Sequence, residues 1–244
     1  MRTTARRDGD DWILDGEKCW ISNAGLADCY IVFARIPEMG ERAYGAFVVD
    51  AEMDGVATVE RVRVVAPHPL GTVAFRGCRV SADRVIGAPG DGLKVALGTL
   101  DVFRPTVGAA ALGFARRALA ESIPWTRERQ MMGRPLADQQ LTQAALAEMA
   151  TDIDASALLV YRAAWARDVR GGRTTREAAM AKLHATEAAQ RVVDRAVQLF
   201  GARGVVAGNI VETLYREVRA LRIYEGTSEV QKLVIAGRLM EEQA

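Results

Sequence analysis

A carboxylate set between a tyrosine and a glycine, just ahead of a helix, is the arrangement in this sequence that most suggests chemistry. Leu221 to Gly237 reads Leu-Arg-Ile-Tyr-Glu-Gly-Thr-Ser-Glu-Val-Gln-Lys-Leu-Val-Ile-Ala-Gly. Gly226 interrupts regular structure, and Ser228 with Gln231 three residues on has the spacing of a capping box. Val230, Leu233, Val234 and Leu239 then recur at roughly helical spacing, which predicts a loop feeding a helix with one buried face. Glu225 is thereby placed in a tight turn before a helix N-terminus. There it can act as a base on a bound ligand, or it can be a surface acid that favours the helix dipole; position alone leaves both open.

Other residues could take part. Lys18-Cys-Trp-Ile-Ser-Asn holds Trp20 and Ser22, which by themselves read as a buried strand tryptophan and an edge hydroxyl. Asp101 and Arg104, in Leu100-Asp-Val-Phe-Arg-Pro, have the spacing of a surface ion pair on a helix. Arg129, in Arg-Gln-Met-Met-Gly-Arg-Pro-Leu, offers a guanidinium suited to phosphate. Gln198-Leu-Phe-Gly-Ala-Arg-Gly is either a close-approach loop or a helix C-cap, since both use glycine. His68 and His184 are the only histidines and lie far apart, which leaves little material for a histidine triad. Cys19, Cys29 and Cys78 are odd in number and widely spaced, which points to reduced thiols and no metal site.

These residues need a scaffold, and 244 residues, half of them hydrophobic, suffice for one large domain or two small ones. With 32 basic against 31 acidic side chains and no like-charged block, no nucleic-acid surface is expected. No apolar segment follows the basic start and no run approaches a membrane span, so a cytoplasmic, soluble chain is expected.

Residues 1–87 read as strands. Asp15-Gly16 is expected to turn a hairpin between an apolar run from Asp11 and a returning strand from Glu17. Tyr30 to Arg35, Ala43 to Asp50, Val56 to Val65 and Gly71 to Val80 are further runs rich in β-branched and aromatic residues. This predicts part of an antiparallel β-barrel or sandwich. Gly87-Ala-Pro-Gly-Asp-Gly marks a boundary, and residues 88–244 are Ala-, Leu- and Arg-rich with helical periodicity. Helices are predicted near 93–123, 136–170, 174–201, 210–221 and 229–241, with Pro135 as a start and Gly171-Gly172 and Gly201 to Gly204 as stops. The expected fold class is α+β: a partial β domain followed by an up-and-down helical bundle.

Arg222 to Gln231 resembles the C-terminal signature of the acyl-CoA dehydrogenases, and the resemblance extends in order over essentially the whole chain. It implies that Glu225 is the base that removes a proton α to a thioester while FAD takes a hydride from the β carbon. It implies that Trp20 packs near the flavin and Ser22 bonds its reactive edge, and that Arg129 reaches the FAD of a neighbouring subunit. Gln140, Thr227 and Glu229 take positions near FAD, and Gln198, Gly201 and Gly204 match a glycine loop that approaches it. Asp101 and Arg104 line the substrate side, while Tyr224 and Gly226 shape the acyl end. Some positions depart from the family pattern: Met132 stands for a phenylalanine, Gln139 for an aromatic and Ala202 for a glycine.

The resemblance further implies an acyl-CoA substrate, an electron-transfer flavoprotein as acceptor, and dimers or tetramers that share cofactor sites. The family normally opens with a helical domain and a Thr-Glu-Pro-Gly-x-Gly-Ser-Asp loop, and Met1-Arg-Thr-Thr-Ala resembles the residues immediately after that loop. An N-terminal region is therefore expected to be absent, through a start placed too late in a longer gene, natural shortening or completion by a second chain. Exposed strand edges and an apolar bundle face would then favour association. A non-catalytic assembly partner and another flavin reaction on the same fold are the alternative functions.

Overall fold

The Asp15-Gly16 pair does not turn the chain. In the computed structural model, which describes residues 1–242, Asp11–Ser22 is one continuous strand, β2, and Gly16 lies at a bulge where its pairing register shifts. Glycine is required there: its φ is +129°, and a Cβ would sit 2.8 Å from the Thr3 Cα. The tight turn falls earlier, at Gly9-Asp10, where β1 (Thr4–Asp8) folds back on β2 with Asp8 opposite Asp11. An Asp-Gly pair serves a bulge as readily as a hairpin, so the dipeptide alone could not separate the two.

The remaining strands form where β-branched and aromatic residues cluster: β3 (Cys29–Arg35), β4 (Tyr44–Asp50), β5 (Val56–Val62) and β6 (Leu70–Val80). Their order in the sheet is β4-β3-β1-β2-β6-β5. All pairs are antiparallel except β1 with β3, which meet in parallel at Thr4 and Arg35. The expectation of a wholly antiparallel sheet is corrected at that pair, because β1 lies between β3 and β2 rather than at an edge. The sheet stays open, and β4 and β5 are its edges. Tyr30, Val32 and Ala34 alternate inward on β3. With Leu14, Phe75 and the edge-to-face pair Trp12–Phe47, centroids 5.6 Å apart, they build the core. Each such large apolar side chain contributes about 1.5–3 kcal/mol by leaving water.

Units Met1–Thr99 and Leu100–Ala244 separate by their contacts. Among the described residues five α-helices follow the sheet: α1 (Gly92–Glu128), α2 (Gln140–Trp165), α3 (Thr175–Phe200), α4 (Ile210–Leu221) and α5 (Ser228–Glu242). Pro135 does not open α2; it caps a one-turn 3-10 helix, Leu136–Asp138. Gln130–Met131 (β7) and Arg134–Pro135 (β8) form a small hairpin, and α2 begins only at Gln140. Met132 and Gly133 turn that hairpin with φ of +52° and +77°, the left-handed pair that a two-residue loop demands.

The bundle is organised on α3, whose buried Ala178, Ala181, Ala185, Ala189, Val192 and Ala196 keep helical spacing. Small side chains let α2, α4 and α5 approach its backbone closely. Among the described residues α1 is long and apolar enough to cross a membrane by length and composition. Its Val107, Ala111, Leu112, Ala115 and Ala118 join the bundle core, while 28% of its apolar stretch is buried, so the expectation that no run approaches a membrane span does not hold for α1 by length and composition.

Candidate active site

After α4 the backbone N–H groups of Ile223 and Tyr224 both donate to the Ala220 carbonyl, and the chain then reverses through Glu225 and Gly226. Glu225 is left-handed, with φ +55°, one of four such non-glycine residues among those described, and Gly226 follows at +89°. An L-residue holds that conformation only where its surroundings impose it. The cap of α5 is one residue earlier than Ser228: Thr227 Oγ1 accepts from the Val230 N–H at 3.4 Å, and the Ser228 hydroxyl donates to Glu187 instead. The predicted capping box is therefore not formed. Gln231, fully buried, turns its amide back onto the carbonyls of Glu225 and Gly226, at 3.1 and 3.0 Å.

Two buried cations lie beneath the same carbonyls. Lys182 Nζ on α3 donates to Gly226 O at 2.7 Å, and Arg104 Nε on α1 donates to Glu225 O at 3.5 Å. Lys182 has no exposed surface, and burial, with the nearby Arg104 charge, lowers its pKa to about 8. Arg104 is only 4% exposed, so it is not the surface ion pair that its spacing with Asp101 allowed; their closest approach is 3.9 Å. Burial lowers its pKa while Asp101 and Glu225 oppose that. Asp101 is itself fixed by the Thr175 hydroxyl at 2.6 Å.

At the flank of the turn, Arg222 Nε donates to Glu187 at 2.8 Å. Burial would raise the Glu187 pKa, but the hydrogen bonds from Arg222 and Ser228 prevail and hold it below the usual carboxylate range. Burial, then the Glu225 and Glu217 charges, raises the Tyr224 phenol. Among the described residues neither the Glu225 carboxylate nor its backbone N–H has a hydrogen-bond or ion-pair partner. The fold therefore spends its contacts on the turn's carbonyls and leaves those two groups free to meet a ligand.

Two further predicted segments meet through Trp125, which sequence reasoning had not singled out. Its indole N–H donates to Leu199 O at 3.0 Å and its ring stacks on Phe200 at 4.7 Å, which anchors the Gln198 to Gly204 loop to the end of α1. Arg129 comes directly after α1, its N–H bonded to the Trp125 carbonyl at 2.9 Å. Arg129, Gln140, Gln198 and Gly201 are exposed, and Arg129 has no ion pair among the described residues. Gly204 is buried, and a Cβ there would meet Val197 O at 2.4 Å, so the loop's own packing demands it. Thr227 caps α5 and Glu229 is exposed on its first turn.

In the sheet unit Trp20 is 67% exposed with φ +61°, at an irregularity of β2 between Lys18 and Ile21. The reading of a buried strand tryptophan is overturned: the bulge turns the ring outward. Ser22, also exposed, shares a 3.0 Å hydrogen bond with His68 Nε2.

An open sheet followed by five helices, with a left-handed acid clamped before the last of them, defines an α+β chain whose candidate site lies at that turn. The family model described as the acyl-CoA dehydrogenase middle domain matches residues 1–78, and that of the acyl-CoA dehydrogenase C-terminal domain matches residues 90–240. The chain belongs to the acyl-CoA dehydrogenase family. It is 41% identical to the probable acyl-CoA dehydrogenase FadE25 of Mycobacterium tuberculosis, over 98% of this chain and 62% of the relative. Butyryl-CoA dehydrogenase from Megasphaera elsdenii has the same fold, with TM-score 0.94 and 34% identity over 98% of this chain and 63% of that one. A glutaryl-CoA dehydrogenase from Mycobacterium smegmatis in complex with FADH2 is similar at TM-score 0.91 and 30% identity, over 100% and 62%. The chain thus spans about three fifths of the length of the relatives it matches.

Proposed function

We propose that this chain carries the base and much of the flavin site of an acyl-CoA dehydrogenase, with Glu225 removing the proton α to a thioester carbonyl. The observation that carries this reading is the Glu225 turn: left-handed, held through its carbonyls by buried donors, with carboxylate and N–H both unengaged. A carboxylate so held can take a carbon-bound proton, and the N–H beside it can donate to the thioester oxygen as enolate character develops.

The residues present fit FAD. An exposed indole near an exposed hydroxyl suits a flavin ring and its polar edge, and an exposed guanidinium without a partner suits a pyrophosphate. FAD, when bound, would supply the two-electron acceptor for the hydride leaving the β carbon. Trp20 would pack against the ring, Ser22 would donate to its edge, and Arg129 would neutralise phosphate. The product would be an α,β-unsaturated thioester, with the α proton resting on Glu225 and an electron-transfer flavoprotein as the acceptor that would reoxidise the bound FAD.

Association into dimers or tetramers is supported by an apolar stripe along α2 and the π-helical turn, Ala166–Arg170, that follows it. Leu158, Tyr161, Trp165 and Val169 recur at helical spacing and are 72, 59, 56 and 68% exposed. The same stripe favours a second reading, an assembly partner that binds no flavin.

Absorbance spectra of the purified chain, with FAD and then acyl-CoAs from butyryl-CoA upward, separate the two. Bound flavin that bleaches with a thioester, and fails to bleach in Glu225→Gln, supports the enzyme. A chain that excludes FAD supports the assembly partner, and a Glu225→Gln chain bleaching at the unmodified rate removes Glu225 from the mechanism.

A further inference from the structure

Lys182 stands in the apolar phase of α3, between Ala178 and Ala185, and has no exposed surface. As a packing residue it is a poor choice, because burying an ammonium costs far more than burying a methionine or leucine of similar length. No carboxylate lies within ion-pair distance of it among the described residues; Glu187, Glu225 and Glu229 act only at longer range. What the ammonium reaches is a backbone carbonyl, Gly226 O, at 2.7 Å. That carbonyl belongs to the residue following Glu225, in the turn where Glu225 is left-handed.

The neighbours repeat the pattern. Arg104 and Gln231, both buried, come from different helices and also end on carbonyls of this turn. Three helices thus send one buried donor each to two consecutive carbonyls. An ordinary surface loop satisfies such carbonyls with water. Here the donors are built into the interior, and the reason available on the molecule is the residue they hold.

We propose that Lys182 is a positioning residue for Glu225: by donating to Gly226 O, alongside Arg104 and Gln231, it fixes the left-handed turn and so sets where the Glu225 carboxylate and N–H point. The inference rests on the reading of Glu225 as the base. Its substrate-side consequence is that the base direction is determined from beneath, on α3, by a side chain that touches no substrate.

The test uses the FAD-loaded chain and two variants, Lys182→Met, which keeps length and loses the donor, and Lys182→Gln, which keeps a donor without charge. Amide hydrogen exchange is followed across residues 224–228, and flavin reduction is followed in single turnovers with an acyl-CoA. Lys182→Met should exchange about tenfold faster at the turn, with the middle of α2 unchanged. It should reduce flavin at least about tenfold more slowly, with acyl-CoA affinity within about threefold, because a displaced base loses rate rather than binding. Lys182→Gln should recover part of both.

Unchanged exchange at 224–228 in Lys182→Met overturns the proposal, and so does a variant that weakens acyl-CoA binding and rate in equal measure. Should Lys182→Met fail to fold, Gln231→Leu removes a different donor from the same carbonyls and must produce the same local loosening; if it does not, the clamp is refuted. A Glu225→Gln chain that still reduces flavin would refute the base instead, while exchange at the turn would continue to report on the clamp.

Discussion

Gln231 reaches back from the first turn of α5 to the carbonyl of Glu225, 3.1 Å away, and the same amide nitrogen lies 3.0 Å from Gly226 O. Helix α5 therefore carries its own lock on the turn that precedes it. Gln231→Leu should destabilise the chain by about 1–3 kcal/mol, the range for losing a buried hydrogen bond and stranding its partner. Urea denaturation measures this, and a change under about 0.5 kcal/mol would show that the lock contributes nothing to stability.

Lys182 makes stability depend on alkaline pH. Its pKa of about 8 lies below the usual lysine value, so between those values the unfolded chain binds more protons and stability rises with pH. The charges that face it are Arg104, which lowers the pKa, and Glu187, Glu225 and Glu229, which oppose. Melting temperatures from pH 7 to 10 should climb in the unmodified chain more than in Lys182→Met. At pH 7 that variant should be at least as stable, even though its Glu225 turn is looser.

Acid should act through Glu187. Its pKa is depressed, so its contribution is complete above the usual carboxylate value and is lost as pH falls through the lower folded value. Glu187→Gln should therefore lower stability at pH 7, and flatten the decline seen on acidification. Thermal melts from pH 7 to 3 check both signs.

Gly16→Ala should be severely destabilising, because the left-handed φ and the 2.8 Å approach to Thr3 act together. About 2 kcal/mol or more is expected from backbone strain and displacement of β1. Gly9→Ala provides the control: nothing lies within 4 Å of its Cβ, so only the φ penalty applies.

Trp20→Ala should leave stability almost untouched and reduce FAD affinity at least about tenfold. The ring is mostly exposed on the free chain, so little packing is lost, while a flavin would lose its apolar wall. A calorimetric FAD titration with a parallel melt distinguishes this from a structural role, in which the melting temperature would fall instead.

Much of the fold was legible because short-range rules fix it. The β-branched runs at Tyr30 to Arg35 and Ala43 to Asp50 became β3 and β4, and the 3.6-residue periodicity after Gly87 became five helices, with Gly201 capping α3. Errors fell where one local signal serves two geometries. Asp15-Gly16 fits a bulge as well as a turn, Thr227 and Ser228 are both good caps, and Pro135 opens a 3-10 turn rather than α2 itself.

Sequence alone determined the residue types that the proposed function uses: the acid in Tyr224-Glu225-Gly226-Thr227, the indole and hydroxyl of Trp20 and Ser22, and the guanidinium of Arg129. Tertiary structure alone decided what holds the Glu225 turn. Lys182 and Arg104 lie 43 and 121 positions before Glu225, and Trp125 is similarly remote from the Gln198 to Gly204 loop it anchors. No periodicity or spacing rule links such distant positions, because their meeting depends on how the helices pack. The backbone carbonyls on which these donors converge carry no residue identity at all.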